Sequence, residues 1–372
     1  MLTDEFEIVQ ARYQSARAVR LPQPFSDSSM GPFQSRSFAT ISLMDADGTW
    51  GHALTAGSRT LEALIGRLLT AGRRSYSEHY SALYWSVRNS GFRGPDASTV
   101  GTLDLALHDL AARRRGIPLH RMLGATRDFV WAYASGGSTH LSQEELVREM
   151  LGYAEQGFST LKMKVARDWG RFIEDDVARV RAVRKAVGPD IRIAVDANQA
   201  LSVEQAVDFA NRIAEYNVAW FEEPVHSADL IALQAYASQA PIPAAVGESE
   251  RSAKVFPSLV RAGARYLQPQ PEKLASVEEW LAVSALAQQT GCELTLPGTP
   301  ELGVLFAATA PEATLCEILF PLQAPPGAFF GRAPKRQGNR YLLGTEPGLP
   351  LEIDWARLSA EGNVESDTTW PS

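Results

Sequence analysis

The sequence predicts a parallel (β/α) barrel preceded by a smaller α+β domain. From residue 129 onward, short apolar segments with strand character alternate with helical segments, and each strand–helix unit spans about 25–30 residues. Strand-like segments run from FVWAYAS to TLCEILF, and eight of them can be read in this way. This rhythm is typical of a closed parallel sheet surrounded by helices. A chain of 372 residues is long enough for such a barrel and a small companion domain.

The N-terminal part, residues 1–125, is predicted to form the companion domain. Two strand-like stretches, Glu7–Leu21 and Ser37–Met44, are separated by a loop rich in Pro, Ser and Gly, and a third strand ends in GTWGHALT. Helical patterns follow, so we expect an α+β unit. Residues 126–320 are then expected to form the barrel. The tail 321–372, which is rich in Pro and Gly, is expected to return to the small domain.

Composition and charge argue against several classes of protein. The net charge is −7 at pH 7, whereas nucleic-acid-binding surfaces usually show a basic excess. The two cysteines, Cys292 and Cys316, are too few for a disulfide framework or a Cys-based metal site. The first residues are acidic where a signal peptide is basic, and no run approaches the ~18 apolar residues of a membrane span. We expect a cytoplasmic protein without nucleic-acid or membrane partners.

The ends of the predicted strands carry mostly charged side chains. Barrel active sites lie at the C-terminal ends of the strands, so these positions are the candidates for chemistry. Any one of them alone is typical of a solvated loop charge, but recurrence on successive strands indicates a site, because inward-facing charges need partners or a metal. In chain order the strand ends give Lys162, Lys164, Asp196, Glu222, Glu223, Glu248, Gln270, Gly298 and Glu317.

Lys162 and Lys164 lie on one predicted strand, with Met163 between them. Side chains alternate along a strand, so both lysines point to one side and Met163 to the other. Two adjacent ammonium groups disfavour each other's charge, and a nearby divalent cation adds to this effect. A lysine in this position can therefore be neutral near pH 7 and act as a base.

Asp196, Glu222 and Glu248 are evenly spaced, one in each of three successive strand–helix units. Carboxylates that converge in a partly buried site repel one another, and a hard divalent cation cancels that repulsion. Mg²⁺ prefers about six oxygen ligands, which leaves room for water and a substrate carboxylate. Glu222 and Glu223 are neighbours, so only one points inward. We assign Glu222 to the metal and Glu223 to a supporting hydrogen bond.

Four segments resemble the signature segments of the mandelate racemase/muconate lactonizing branch of the enolase superfamily: STLKMKV, AVDANQ, WFEEP and VGES. TVGTLDLALHDLAARRRGIPLHRMLGA is similar to the helix and linker that precede the barrel in that family. The resemblance extends from about residue 5 to residue 357. It implies a modified (β/α)8 TIM-type barrel of the (β/α)7β form, one Mg²⁺ per subunit and a homo-oligomer. It also implies capping loops near Pro22–Phe33 and Thr49–Ser58 that close over the barrel mouth.

The resemblance also implies roles for individual residues. Lys164 matches the base that removes the proton next to a substrate carboxylate, and Lys162 matches the lysine that helps hold that carboxylate. Glu317 matches a Glu that donates a hydrogen bond to the developing ene-diolate. A cation and a donor aimed at that charge stabilise the transition state more than the ground state. The residues expected to support the site or to contact substrate are Asn198, Glu223, Gln270, Lys273 and Gly298.

The chain departs from the family pattern on the sixth and seventh strands. Gln270 stands where mandelate racemases have Asp and the muconate group has Lys, and the seventh strand, CELTLPG, has no histidine. Gln neither gains nor loses a proton near pH 7, so a two-base racemase is not expected. We expect dehydration of a sugar acid or similar hydroxy acid, with Lys164 acting on one face of the substrate. Alternatively, a group from the capping loops or Glu301 acts on the opposite face of the substrate. An isomerase, an epimerase, a lactone cycloisomerase, or a degenerate barrel that only binds a metal or a carboxylate also remains open.

Overall fold

The computed structural model describes residues 2–371 of the chain. Its N-terminal part is a β-rich unit, in which the long helix α3 packs against β5 and β6. The strands are β1 (Glu5–Phe6), β2 (Ile8–Ala16), β3 (Val19–Phe25), β4 (Phe33–Arg36), β5 (Ala39–Asp45), β6 (Trp50–Thr55) and β7 (Arg74–Ser75). The helices are α1 (Leu61–Thr70), α2 (Tyr76–Ser86), α3 (Pro95–Arg114) and α4 (Leu119–Met122).

A closed parallel barrel follows. Its strands are β8 (Phe129–Gly136), β9 (Thr160–Lys164), β10 (Arg192–Asp196), β11 (Val218–Glu222), β12 (Ala244–Val246), β13 (Tyr266–Leu267), β14 (Glu293–Leu296) and β15 (Leu315–Leu319). The helices between them are α5 (Gln143–Glu155), α6 (Arg167–Gly170), α7 (Ile173–Val187), α8 (Val203–Ile213), α9 (Leu230–Gln239), α10 (Phe256–Arg261), α11 (Val277–Thr290) and α12 (Pro300–Ala307). β15 pairs with β8, Glu317 opposite Tyr133, which closes the sheet. Within residues 2–371 this is a (β/α)7β barrel, so the predicted fold class is confirmed.

The C-terminal segment contacts both units. Its elements are β16 (Phe330–Arg332), β17 (Lys335–Gln337), β18 (Arg340–Leu342), β19 (Glu352–Ile353), α13 (Trp355–Ala360) and β20 (Val364–Trp370). β18 lies antiparallel to the barrel strand β8, and β20 lies antiparallel to β2 of the N-terminal unit. The domain limits 1–125, 126–320 and 321–372 stay a prediction. In the described part of the chain, no helix combines the length and apolar character needed to cross a membrane.

The predicted strand Glu7–Leu21 is wrong, because the chain leaves the sheet in its middle. β2 pairs with β5 and β20, and it ends where the Ala16 and Arg17 amides donate to the carbonyls of Phe38 (2.9 Å) and Asn363 (2.8 Å). The following strand β3 pairs with β4 as a separate two-stranded ribbon. This ribbon reaches the barrel, since the amide after β3, at Ser26, donates to Ser138 Oγ at 2.7 Å.

Alternation along the barrel strands separates an inner layer from the main core. Ala194 and Trp220 belong to a small inner cluster with Tyr133, Ala245 and Tyr266. Neighbouring positions such as Val195 and Phe221 face the helices instead and join the main hydrophobic core. The period of two therefore places Asp196 and Glu222, which follow Ala194 and Trp220 by two residues, on the inner side of the barrel.

Candidate active site

Lys162 is enclosed by carboxylates at the C-terminal end of the barrel. Its side chain is 1% exposed, its ammonium group contacts a carboxylate oxygen of Glu222, and it lies 2.8 Å from Glu317 Oε1 and 3.5 Å from Asp196 Oδ2. Lys164 is buried on the same face of β9, and its ammonium group contacts the Asp196 carboxylate. The two lysines thus join the ends of β10, β11 and β15.

Both lysine pKa values are raised when no cation is bound, and the prediction of a neutral lysine beside a divalent cation stays a prediction. Burial lowers the pKa of Lys162, but Glu222 and Glu317 together raise it well above its usual value. For Lys164, burial again lowers the pKa, as does the neighbouring Lys162 charge, but Asp196, Glu222 and Glu248 together raise it above its usual value. The sequence shows that the lysines are adjacent, but only the packing shows that carboxylates surround them.

The three predicted metal ligands stand on neighbouring strands with different surroundings. Asp196 Oδ1 accepts from the main-chain amide of Asn198 at 2.8 Å, and Glu222 Oε2 accepts from Gln268 Nε2 at 2.5 Å. Burial acts to raise the pKa of Asp196, but Lys164 and Lys162 hold it at about 2. The pKa of Glu222 is raised well above its usual value by burial and then by Asp196. Burial also raises the pKa of Glu248, although Lys273 opposes this.

Among residues 2–371, no three Asp, Glu, His or Cys side chains are gathered closely enough to hold a metal. Two of the predicted ligands, Asp196 and Glu222, are instead bonded to the lysine ammonium groups. The donor set nevertheless fits Mg²⁺ in its chemistry, because it consists of hard oxygen donors that follow one another on successive strands. Burial, and after it the Asp196 charge, raises the pKa of Glu222 and Glu248, and a divalent cation would relieve the repulsion between these carboxylates.

Glu223 points away from the lysines. Its Oε1 accepts from Gln199 Nε2 at 2.9 Å and from Ser249 Oγ at 3.2 Å, which ties the end of β11 to the segment after β12. Burial, followed by the charge of Glu248, raises the pKa of Glu223 to about 8. These contacts match the supporting hydrogen bonds that the sequence predicted for Glu223, whereas its role in function stays a prediction.

A cavity of about 350 Å³, here called the barrel-mouth cavity, opens beside these side chains. From the barrel it is lined by Lys162, Lys164, Asn198, Glu248, Gln270, Gly298 and Glu317, and from the N-terminal unit by Phe25, Asp27, Phe33, Ser35 and Arg36. Asp196 and Glu222 lie behind this surface, and Lys273 lines an adjacent cavity. The first predicted capping loop, 22–33, therefore contributes to the cavity.

The second predicted capping loop, Thr49–Ser58, is largely strand β6 and does not reach the barrel-mouth cavity. Residues 54–57 line the adjacent cavity instead. A larger cavity, about 570 Å³, lies between the N-terminal sheet and the C-terminal segment; its walls include His52 but none of the predicted site residues. We assign the chemistry to the barrel-mouth cavity, because the buried lysines and carboxylates converge there.

The absence of a side chain at Gly298 has a steric cause. Gly298 has a φ of +104°, and a β-carbon there would lie 2.9 Å from Glu272 Oε2 and 3.0 Å from the Gln270 side chain. Glu272 is fixed in turn, since its Oε1 accepts from the Thr299 amide at 2.8 Å. A larger residue at 298 would have to displace this buried carboxylate, so the seventh-strand position is adapted to its neighbours on the sixth.

Sequence reasoning missed Gln268 and Arg36. Gln268 is fully buried and donates to Glu222; it stands two residues before Gln270, so strand alternation would have placed both on the same side. Arg36 lines the cavity from β4 of the N-terminal unit, and its guanidinium donates to the Leu322 carbonyl at 2.7 Å. No spacing rule within the barrel points to Arg36, because the separate unit brings it there.

The family follows from the sequence match as well as from the fold. Residues 145–357, more than half of the chain, match the family described as enolase C-terminal domain-like. The chain therefore belongs to this family, in the mandelate racemase/muconate lactonizing branch of the enolase superfamily. Its relatives are dehydratases, cycloisomerases and epimerases, so the chain is an enzyme of the lyase or isomerase type.

Individual relatives cover most of the chain. The 3,6-anhydro-alpha-L-galactonate cycloisomerase of Streptomyces coelicolor is 28% identical over 345 residues, covering 88% of this chain and 95% of that protein. The D-galactarolactone cycloisomerase of Agrobacterium fabrum is 30% identical over 299 residues, covering 78% of each. The crystal structure of L-talarate dehydratase from Polaromonas sp. JS666, complexed with Mg and L-glucarate, has a TM-score of 0.85 at 26% identity and covers 99% of this chain and 100% of that chain.

Proposed function

We propose that this enzyme removes the proton next to the carboxylate of a sugar acid and eliminates the β-hydroxyl as water. The observation that supports this most is the one-sided barrel-mouth cavity. Lys162 and Lys164 form one wall with Glu317, whereas Gln270 and Gly298, which do not titrate, stand at the strand ends where the family carries its second acid–base pair. A single lysine that takes the α-proton and returns it to the departing hydroxyl needs only one face.

In this proposal Lys164 is the base, Lys162 holds the substrate carboxylate, and Glu317 donates a hydrogen bond to the ene-diolate. Asp196, Glu222 and Glu248 would hold one Mg²⁺, which stabilises the negative charge that develops on the carboxylate oxygens. Two donors hold these carboxylates in place: Gln268 Nε2 donates to Glu222 Oε2, and the main-chain amide of Asn198 donates to Asp196 Oδ1. The α-proton leaves with the β-hydroxyl as one molecule of water, and the enol that remains tautomerises to a 2-keto acid by moving its hydroxyl proton to the β-carbon.

Lactone cycloisomerisation is the second candidate. Two relatives that cover much of the chain are named cycloisomerases, and opening a lactone also needs few groups on the second face. The two reactions differ in product, because a dehydratase releases water whereas a cycloisomerase converts a lactone into an isomer of the same mass.

The test is solvent-deuterium exchange, followed by NMR. The purified protein is incubated in D₂O with Mg²⁺ and a library of sugar acids and their lactones, beside Lys164→Ala and a matched control, Lys335→Ala, at an exposed lysine. We expect α-exchange or a 2-keto acid with the wild type and the control, and neither with Lys164→Ala. Exchange that persists in Lys164→Ala would refute the assigned base. An absence of exchange across the library, in protein that binds Mg²⁺, would favour a barrel that only binds.

A further inference from the structure

Residues 26–30 of the first capping loop, here called the capping segment, are hydrogen-bonded to two barrel loops. In the loop after β8, the Thr139 hydroxyl donates to the Asp27 carbonyl at 2.6 Å. In the loop after β9, the Val165 carbonyl accepts from the Ser28 hydroxyl at 2.7 Å. Ser28 is 2% exposed, so water does not compete for this second bond. The capping segment therefore has a hydroxyl anchor on each of the two loops.

The Ser28 anchor acts on the strand end that carries Lys164. Val165 directly follows Lys164 and is fully buried. Its amide donates to the Asp196 carbonyl at 2.9 Å, and its carbonyl accepts from Ser28. Val165 is thus held from the neighbouring strand on one side and from the N-terminal unit on the other. A shift of Val165 would displace Lys164 relative to Asp196, whose carboxylate contacts the lysine ammonium group.

The chain after Val165 runs through the left-handed region of backbone conformation, where it needs support from its surroundings. Ala166, Asp168 and Trp169 have φ values of 61°, 51° and 60°. Residues other than glycine persist there only where neighbouring contacts fix them. Trp169 is 61% exposed and packs little, but its amide donates to the Ser28 carbonyl at 3.5 Å. Ser28 therefore bonds to the chain just before this left-handed segment and again at Trp169.

A second contact holds the left-handed segment from the barrel side. The Ala166 amide donates to Asp176 Oδ2 at 2.8 Å, and Asp176 is a buried residue of α7 that pairs with Arg179 at 3.2 Å. This contact does not involve the capping segment. Removing the Ser28 hydroxyl should therefore loosen the strand end while the loop keeps its fold.

We infer that Ser28 is a positioning residue, which aligns Lys164 with the substrate when the capping segment lies on the barrel. This rests on the proposed function, in which Lys164 removes the α-proton. Ser28 does not line the barrel-mouth cavity, so it acts through Val165, whereas its neighbour Asp27 does line the cavity. A ligand that contacts Asp27 therefore acts on the same segment that holds the strand end. Proton transfer depends steeply on geometry, and a displacement of about 1 Å costs about 100-fold in rate.

The test compares three hydroxyl deletions by steady-state kinetics with a sugar acid that the wild type turns over. Ser28→Ala should lower kcat about 10- to 100-fold and change KM less than about three-fold, because the base is displaced while the cavity lining is kept. Thr139→Val removes the anchor of the same capping segment on the other loop, and it should raise KM more than it lowers kcat. Ser29→Ala, at an exposed neighbour, should leave both constants unchanged.

The α-deuterated substrate shows whether the loss lies in proton removal. Its isotope effect on kcat should be at least as large in Ser28→Ala as in the wild type, because proton removal has become slower. Three results would overturn the inference: an unchanged kcat in Ser28→Ala, an equal fall of kcat in Ser28→Ala and Thr139→Val, or an isotope effect that disappears in Ser28→Ala.

Amide hydrogen exchange separates this inference from the proposed reaction. If no sugar acid turns over, the proposed function fails, but exchange in the Mg²⁺-containing protein still reports on the strand end. Ser28→Ala should speed the exchange of amides 165–170 about ten-fold, whereas Thr139→Val and Ser29→Ala should leave it as in the wild type. Equal exchange of these amides in Ser28→Ala and the wild type would overturn the positioning role by itself.

Discussion

Replacing Lys162 with Met should destabilise the protein strongly, because the ammonium group neutralises several buried carboxylates. Lys162 contacts Glu222, lies 2.8 Å from Glu317 and 3.5 Å from Asp196, and is 1% exposed. Removing one partner of a buried ion pair costs about 3–5 kcal/mol, since the remaining charge is left without compensation. We expect a loss of this size in the free energy of unfolding of the metal-free protein, measured by urea denaturation in EDTA, and almost none for Lys335→Met.

The loss should depend on pH with a definite sign. A buried carboxylate without its cation has a folded-state pKa above its unfolded value, so the folded state binds more protons and stability falls as the pH rises. The penalty of Lys162→Met should thus be larger at about pH 8 than at about pH 5. Adding Glu317→Gln to Lys162→Met should recover part of the loss. A penalty below about 1 kcal/mol at both pH values would refute the view that Lys162 compensates these carboxylates.

Three further predictions concern other parts of the molecule. Gly298→Ala should lower the free energy of unfolding by about 2–3 kcal/mol, because alanine is strained at a positive φ and its β-carbon would displace Glu272. A urea midpoint equal to that of the wild type would contradict this. The pKa of His52 is lowered from 6.5 to about 4 by burial and then by Arg113. The neutral His52 therefore contributes fully to stability above pH 6.5, and about 3 kcal/mol of stability is lost as the pH falls toward 4. His52→Gln should reduce the fall of the urea midpoint over this pH range. If the midpoint falls as much in His52→Gln as in the wild type, His52 is not the source of the pH dependence. Mg²⁺ at a hundred times its Kd should stabilise the wild type by about 2.7 kcal/mol in thermal unfolding and Glu248→Gln much less; equal stabilisation of the two proteins would remove Glu248 from the ligand set.

The change on the sixth and seventh strands links the fold to the proposed reaction. Gln270 and Gly298 are not an isolated loss, because Glu272 fills the space beside Gly298 and Arg36 reaches over the same wall. These neighbours give this side of the cavity polar and cationic groups, together with the Glu272 carboxylate, whose Oε1 accepts from the Thr299 main-chain amide. Such a surface suits binding of the substrate more than proton transfer, in keeping with chemistry confined to the lysine side.

The sequence by itself determined the barrel and the candidate residues at its strand ends. Strand–helix alternation predicts a parallel barrel, and the period of two along each strand predicts which side chains face inward. The same period predicts that Lys162 and Lys164 share one face and that Glu222 and Glu223 point to opposite sides. Both arrangements appear in the structure.

Only the tertiary structure decided what those side chains contact. The ion pairs that raise the lysine pKa values join β9, β10, β11 and β15, and their distances depend on how the barrel closes. Arg36 enters the site from another unit, because the chain leaves its sheet after Ala16 and carries β3 and β4 to the barrel mouth. Local patterns specify which way a side chain points along one element, whereas packing between elements distant in sequence specifies its neighbours, and those neighbours set its charge and chemistry.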